Sequence, residues 1–494
     1  MINMDGNERE MTQGFMGILC DRAVSCELSG DFTLPEGQPE VRRILSVSEN
    51  VLPPAKYVSS AGVECNGCVD YRVLYVGVDG GLWSASFSSE YELDTAMDDT
   101  ALDTVGGIET VISLGAEGAV ARVSSPKRIN IKSRVSGRIR AYATIDTELD
   151  TYGDVDIESV ERRYGRVDCA KVCVLSSDVL ELSEEIGGLS EDSRVISAYA
   201  SLYTNDLKKS SEGLLAEGEI FLKLLVGADG QRVESVTKKL PFSGLLECDC
   251  AADDRYCRVY GVVTDISVNV EEGRAICSLS AVLSAVAEGN VERMYMADVY
   301  SVERECVCET EEIILPVVKA CGGGNFSQNE RIALSDTGIP EGAELIDLWG
   351  TVRFDGCEYG GGKYNLAGSS KYTALWEKDG EYGCADIELP VKYAIDGEED
   401  NNYVFDARGE VISCRGRIDG ELFCLDAEIG TSADAFGRTS VATVRTARFG
   451  TVFGREKNRM VIYYPAEGES VWDVAKKYHV RADSLTAEKN YYLF

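Results

Sequence analysis

Histidine is almost missing: His479 is the only one in 494 residues. That scarcity leaves nearly the whole chain without the commonest general base and metal ligand, so His-containing zinc sites and His-dependent triads have little to be built from. Basic residues are scarce too, with 49 Lys and Arg against 84 Asp and Glu, for a formal net charge of −35. Nucleic acid is excluded as a partner, because no clustered basic surface exists to displace counterions from a phosphate backbone. Anionic lipid surfaces are disfavoured on the same grounds. No run of about 18 apolar residues is present, which argues against insertion of a helix into a membrane. The opening stretch Met1 to Cys20 carries acids and amides where an export signal needs a basic start and an apolar core. We therefore expect an intracellular protein with an acidic leader over residues 1–20.

What is there reads as ordinary globular protein. The chain is 44% hydrophobic and 27% charged, and its length calls for several domains rather than one growing core. Seventeen cysteines would suggest a disulfide framework in a small exported protein; here mostly reduced thiols are expected.

An internal repeat organises the body. DYRVLYVGVDGGLWSASF, EIFLKLLVGADGQRVESV and SKYTALWEKDGEYGCADI each join two apolar, β-branched runs through an Asp-Gly pair, and Asp79, Asp229 and Asp379 are spaced 150 residues apart. Each copy predicts a hairpin with a two-residue type I′ turn, which needs φ > 0 at both central positions. Leu240-Pro241-Phe242 and Leu389-Pro390-Val391 follow in the second and third copies and predict edge strands or strand ends. Further alternating runs start at Arg128, Arg258 and Glu410, while the stretch from Ser193 is ambiguous between helix and strand. The expected fold is mainly β: three repeated sandwich- or barrel-like units over 21–152, 153–303 and 304–450, a linker over 451–459, and a small α+β module over 460–494.

The last segment has its own pattern. Val461 to Tyr464 predicts a strand, Pro465 to Gly468 a turn, and Ser470 with Asp473 a capping-box start for a helix whose Val471, Val474, Ala475 and Tyr478 share a face. A second helix is expected from Asp483 or Ser484, with Leu485 facing inward. Through Tyr463, Gly468-Glu469-Ser470, Val471-Trp472-Asp473, Ala475-Lys476, Tyr478 and Asn490 this segment resembles a LysM domain. The resemblance implies a shallow groove for N-acetylated glycans, formed by Gly468, Glu469, Ser470 and Val471 with Trp472 beside them and Asn490 and Tyr491 on the far wall. The family pattern continues to a second strand, whereas only Tyr491 to Phe494 follow Asn490, which leaves the groove incomplete on this reading.

The first unit carries a second resemblance. Val24 to Pro35, Pro39 to Leu45 and the hairpin Tyr71 to Phe87 look like the SPOCS domain of spore-coat-associated proteins. Tandem SPOCS units with a terminal LysM resemble the SipL-type coat morphogenetic family. That resemblance implies a non-enzymatic adaptor in the mother-cell cytoplasm at the forespore surface, its tail engaging a coat morphogenetic ATPase or other coat proteins. The alternative is a peptidoglycan-binding protein of the spore cortex or cell wall, reading N-acetylglucosamine glycan; more remote is a cell-wall hydrolase.

Reactive motifs are weak. Cys65-x-x-Cys68 is the only CxxC and has no companion ligand pair. Cys248-x-Cys250 and Cys306-x-Cys308 place both sulfurs on one strand face. Gly360 to Lys363 lacks the spacing of a phosphate loop, since Tyr364 follows the lysine. No acid, base and nucleophile converge in the sequence, so no catalytic residue, metal site or cofactor is assigned.

Overall fold

A computed structural model describes residues 14–98, 104–145, 150–153, 156–189, 193–209, 213–228, 232–247, 256–400, 402–454, 462–488 and 491–493. It is 81% strand and 4% helical, which establishes the mainly-β class.

The first unit contains β1 (Phe15–Thr33), β2 (Val41–Val51), β3 (Ala55–Val58), β4 (Gly62–Gly77), β5 (Leu82–Ala96), β6 (Thr104–Ala116), β7 (Val120–Ser125) and β8 (Arg128–Ile145). A short β9 (Asp150–Tyr152) follows. The second has β10 (Val160–Gly187), β11 (Ser193–Lys209), β12 (Gly213–Ala228), β13 (Glu234–Glu247), β14 (Tyr256–Glu271) and β15 (Arg274–Ser301). The third has β16 (Arg304–Ala333), β17 (Glu344–Gly360), β18 (Lys363–Lys378), β19 (Glu381–Asp396), β20 (Val404–Asp419) and β21 (Leu422–Val452).

The repeat is one of topology. In every unit the opening strand pairs antiparallel with the closing one: β1 with β8, β10 with β15, β16 with β21. Between them lies a meander, β2-β4-β5, β11-β12-β13 or β17-β18-β19, and the strand before the last joins the closing strand. Each unit encloses its own core, with Tyr71, Val73 and Ile131 in the first, Leu222, Leu224 and Leu283 in the second, and Leu366, Phe423 and Ile429 in the third. Alternation along the strands produces these cores, because successive side chains point to opposite faces. The stretch from Ser193 is strand, and residues 15–20, read from sequence as leader, are the start of β1. Pro390 sits on β19 at the edge of its sheet, as a residue without an N–H requires.

Turn chemistry matches expectation at one copy and departs at another. Asp379 and Gly380 both have positive φ (52° and 79°) and join Lys378 to Glu381, the type I′ geometry. At Asp79-Gly80 only Gly80 has positive φ, and the loop is one residue longer, with Gly77 N–H bonded to Gly81 O and Gly80 N–H to Gly77 O. Asp79 instead turns its carboxylate back to accept from Gly81 N–H and Trp83 Nε1, each 3.1 Å away. The Asp229-Gly230 pair lies outside the described residues.

β1, β10 and β16 touch one another, so the three opening strands form a common centre. There Arg140 of the first unit lies 3.0 Å from Asp434 of the third, and Arg258 of the second pairs with the same carboxylate. Arg258 Nε also stands 3.0 Å from Glu288 Oε1. Asp406 accepts from Ser113 Oγ at 3.0 Å and lies 3.5 Å from Arg140. Burial would push the Asp406 carboxyl up, but Arg140, Arg258 and Arg408 together hold it below its usual range. The three units are thus cross-linked by a buried ionic cluster.

Candidate functional site

The tail comprises β22 (Ile462–Tyr463), the helix α1 (Val471–Tyr478), a 3-10 turn at Ala482–Ser484, β23 (Thr486–Glu488) and β24 (Tyr491–Leu493). Two expectations are corrected. No second α-helix forms after Asp483: Leu485 is drawn inward, and the next residues extend to pair with β24. A second strand is present, since β24 pairs antiparallel with β22, Ile462 facing Leu493.

Ser470 caps α1 with a complete capping box, its N–H bonded to Asp473 Oδ2 at 2.9 Å and its Oγ accepting from Asp473 N–H at 3.3 Å. The Ser470 hydroxyl, which donates to Asp473 Oδ2 at 2.6 Å, and the Ser470 N–H hold the Asp473 carboxyl below its usual range. Glu469 closes the turn from the other side, accepting from Ala466 N–H and from Tyr463 Oη at 2.9 Å each, and Lys477 donates to the same Tyr463 hydroxyl. Gly468 takes φ +85°, and a Cβ added there would meet nothing within 4 Å, so backbone conformation is what glycine supplies at this position. Gly468, Ser470 and Val471 are exposed and Glu469 half-buried, which gathers four of the residues singled out in the sequence on one rigid, open turn. Ile462 and Tyr464 flank it, 55% and 69% exposed.

Trp472 is not on that surface. Its ring faces the body, edge-on to Tyr300 with centroids 4.9 Å apart, and its Nε1 donates to Asp298 Oδ2 at 2.8 Å. Lys476 donates to the other oxygen of Asp298 at 2.6 Å, Tyr300 Oη donates to Val480 O, and Arg481 donates to Glu158 O. An indole has a large apolar face and one N–H that must be paired once buried, and β15 offers a partner for each. Tyr300, Val302 and Ala475 form the dry centre of this dock, with Trp472, Val480, Ala482 and Leu485 around it. His479 is exposed, ends α1 in the left-handed region and stacks on Phe453 at 3.9 Å, so part of the stretch read as linker packs on the tail. Asn490 lies outside the described residues, and Tyr491 is placed only by its backbone pairing with Glu488.

A polar cleft of about 490 Å³ opens where the units meet, with Asn50 and Arg72, Tyr199 and Asp265, and Glu410 on its walls. Burial pushes the Glu410 carboxyl up to about 8. Sequence reading missed both this cleft and the ionic cluster. The available signal was a charge within a run of small residues, as at Glu288 after Ala287 and Asp434 between Ala433 and Ala435.

Among the described residues Cys173 is disulfide-bonded, while Cys20, Cys26, Cys65, Cys68, Cys306 and Cys308 are free thiols; Cys248 and Cys250 lie outside the described residues. Cys65 and Cys68 lie within β4, not at a helix N-terminus, and no group of three or more metal-binding side chains occurs among the described residues. No helix among those residues is long and apolar enough to cross a membrane. No family model, curated protein or solved structure matches the chain.

Proposed function

We propose that this protein is a spore-coat assembly adaptor that holds its LysM-like tail on an acidic, three-unit β body and offers the tail turn to a coat morphogenetic ATPase. The observation that carries the reading is the division of labour within the tail. Trp472 and Lys476 are committed to the body, while Gly468 to Val471, Ile462 and Tyr464 remain outward. A module held this way presents its surface without paying again for orientation, and several weak contacts along one chain raise the effective concentration of the later ones. The resemblance to SPOCS and LysM units supplies the setting. With the indole turned inward, the turn has no tryptophan with which to stack on a sugar ring, so protein is favoured over glycan as its ligand.

The test is affinity capture from sporulating cells with the full chain and with Tyr464→Lys and Val471→Asp, which alter the outward face but not the dock. Loss of the basal-layer ATPase in the variants is the expected result. Its undiminished recovery would sink the reading, and sedimentation of the intact chain with purified peptidoglycan would replace it with the glycan-binding alternative.

A further inference from the structure

Cys306 and Cys308 lie at the start of β16, next to the tail dock. Their sulfurs are 3.6 Å apart, in contact but unbonded, and both point at the carbonyl of Val299, at 4.0 and 3.3 Å. Two residues apart on an extended strand, their Cα atoms are separated by about 6.6 Å, near the upper end of what a disulfide spans. The ladder slips between Arg304 and Cys306, so this stretch is already irregular and can yield the remaining reach. Both side chains are half-buried and pack on the cluster that holds Met296, Val299 and Phe449.

The charges facing the pair come from two elements. Lys476 projects from α1 and favours thiolate, while Asp298 on β15 opposes it. Each sulfur lies within S–H···S reach of the other, and such a bond lowers the thiol that accepts it and raises the one that donates. One sulfur is thereby set up to attack and the other to resolve.

We propose that Cys306 and Cys308 form a reversible thiol–disulfide site that takes a low-molecular-weight disulfide, with the tail's Lys476 completing it. The Cys308 thiolate attacks one sulfur of the small disulfide, an S–S bond forms, and one small thiolate leaves. Cys306 then gives its proton to solvent and attacks Cys308 Sγ, expelling the second small thiolate. Two protein thiols lose two electrons and two protons in total, and the small disulfide is reduced to two thiols. Because the bridge lies at the limit of Cα reach, it returns readily to dithiol when reductant is in excess.

The experiment uses the reduced full-length chain, oxidised glutathione, alkylation of remaining thiols and peptide mapping by mass spectrometry. In the unmodified chain the peptide carrying both cysteines is expected to be lighter by two hydrogens and not alkylated. Cys306→Ser is expected to stop at a glutathione adduct on Cys308, and Lys476→Met to slow the reaction about threefold or more by reducing the thiolate fraction. Recovery of both cysteines alkylated, or each carrying glutathione, would overturn the proposal without relying on any variant. A Cys308→Ser chain whose Cys306 reacts as fast as the unmodified pair would overturn the assignment of the nucleophile.

Discussion

Trp472 Nε1 donates to Asp298 Oδ2 across 2.8 Å, joining the tail helix to the closing strand of the second unit. The same carboxylate takes Lys476 on its other oxygen, so one acid on β15 satisfies the two polar groups that α1 turns toward the body. The dock therefore combines a dry apolar patch around Tyr300 with one paired charge.

Removing that acid should free the tail without unfolding the body. Asp298→Ala leaves the indole N–H and the ammonium unpaired at a partly buried contact. The expected cost to docking is about 2 kcal/mol, mostly from the indole bond, since Lys476 is partly solvated and its pair is screened. Limited proteolysis within 455–461 should accelerate by an order of magnitude or more, and tryptophan emission should shift to the red. An unchanged cleavage rate would show that the apolar patch alone holds the tail. Acid should act like the mutation: burial would raise the Asp298 pKa, but bonds from Lys476 and Trp472 outweigh it and hold it low. The contact thus contributes above the unfolded value near 3.9 and is lost as pH falls below that through the depressed folded value. Docking at pH 5 and progressive release as the pH falls below about 3.9 is the expected pattern.

How far the sequence carried can be judged from particular residues. Asp379-Gly380 and the Ser470–Asp473 capping box were legible because both are settled by neighbours a few residues away. The 150-residue spacing was legible because each unit repeats the same hairpin and meander. The position of Trp472 was not, since its partner Asp298 lies 174 residues upstream and reads as an ordinary strand acid. The helix expected after Asp483 gave way for the same reason: Leu485 packs on the distant cluster of Tyr300, Val302 and Ala475, and pairing with β24 takes the following residues.

Glu410 should make the body less stable toward alkaline pH. Burial pushes its carboxyl up to about 8, so the folded chain keeps a proton that the unfolded chain releases near 4.3. Stability from this group is present below the unfolded value and is lost as pH rises through about 8. Glu410→Gln keeps the shape and removes the charge. The variant should match the parent near pH 4 and exceed it at pH 8.5 by on the order of 1–3 kcal/mol in denaturant titrations. Parallel curves across that range would show that the cleft solvates the carboxylate.

The central ionic cluster should behave as a unit. Arg140→Met leaves Asp434 and Asp406 buried with one cation fewer, and breaking a buried pair on one side costs about 3–5 kcal/mol. Arg258→Met should be comparably damaging, because Arg258 bonds Asp434 and faces Glu288. Adding Glu288→Leu to Arg258→Met removes the acid whose desolvation the arginine was offsetting, so the double variant should be more stable than Arg258→Met alone. Burial and Asp434 already push the Glu288 carboxyl up despite Arg258 and Arg140, which is the sign of an acid that gains little from staying charged. Denaturant titration of the four chains gives the coupling directly. Additive losses would mean that Arg258 and Glu288, both on the second unit, are each solvated independently, leaving Asp434 as the acid through which Arg140 and Arg258 tie the units.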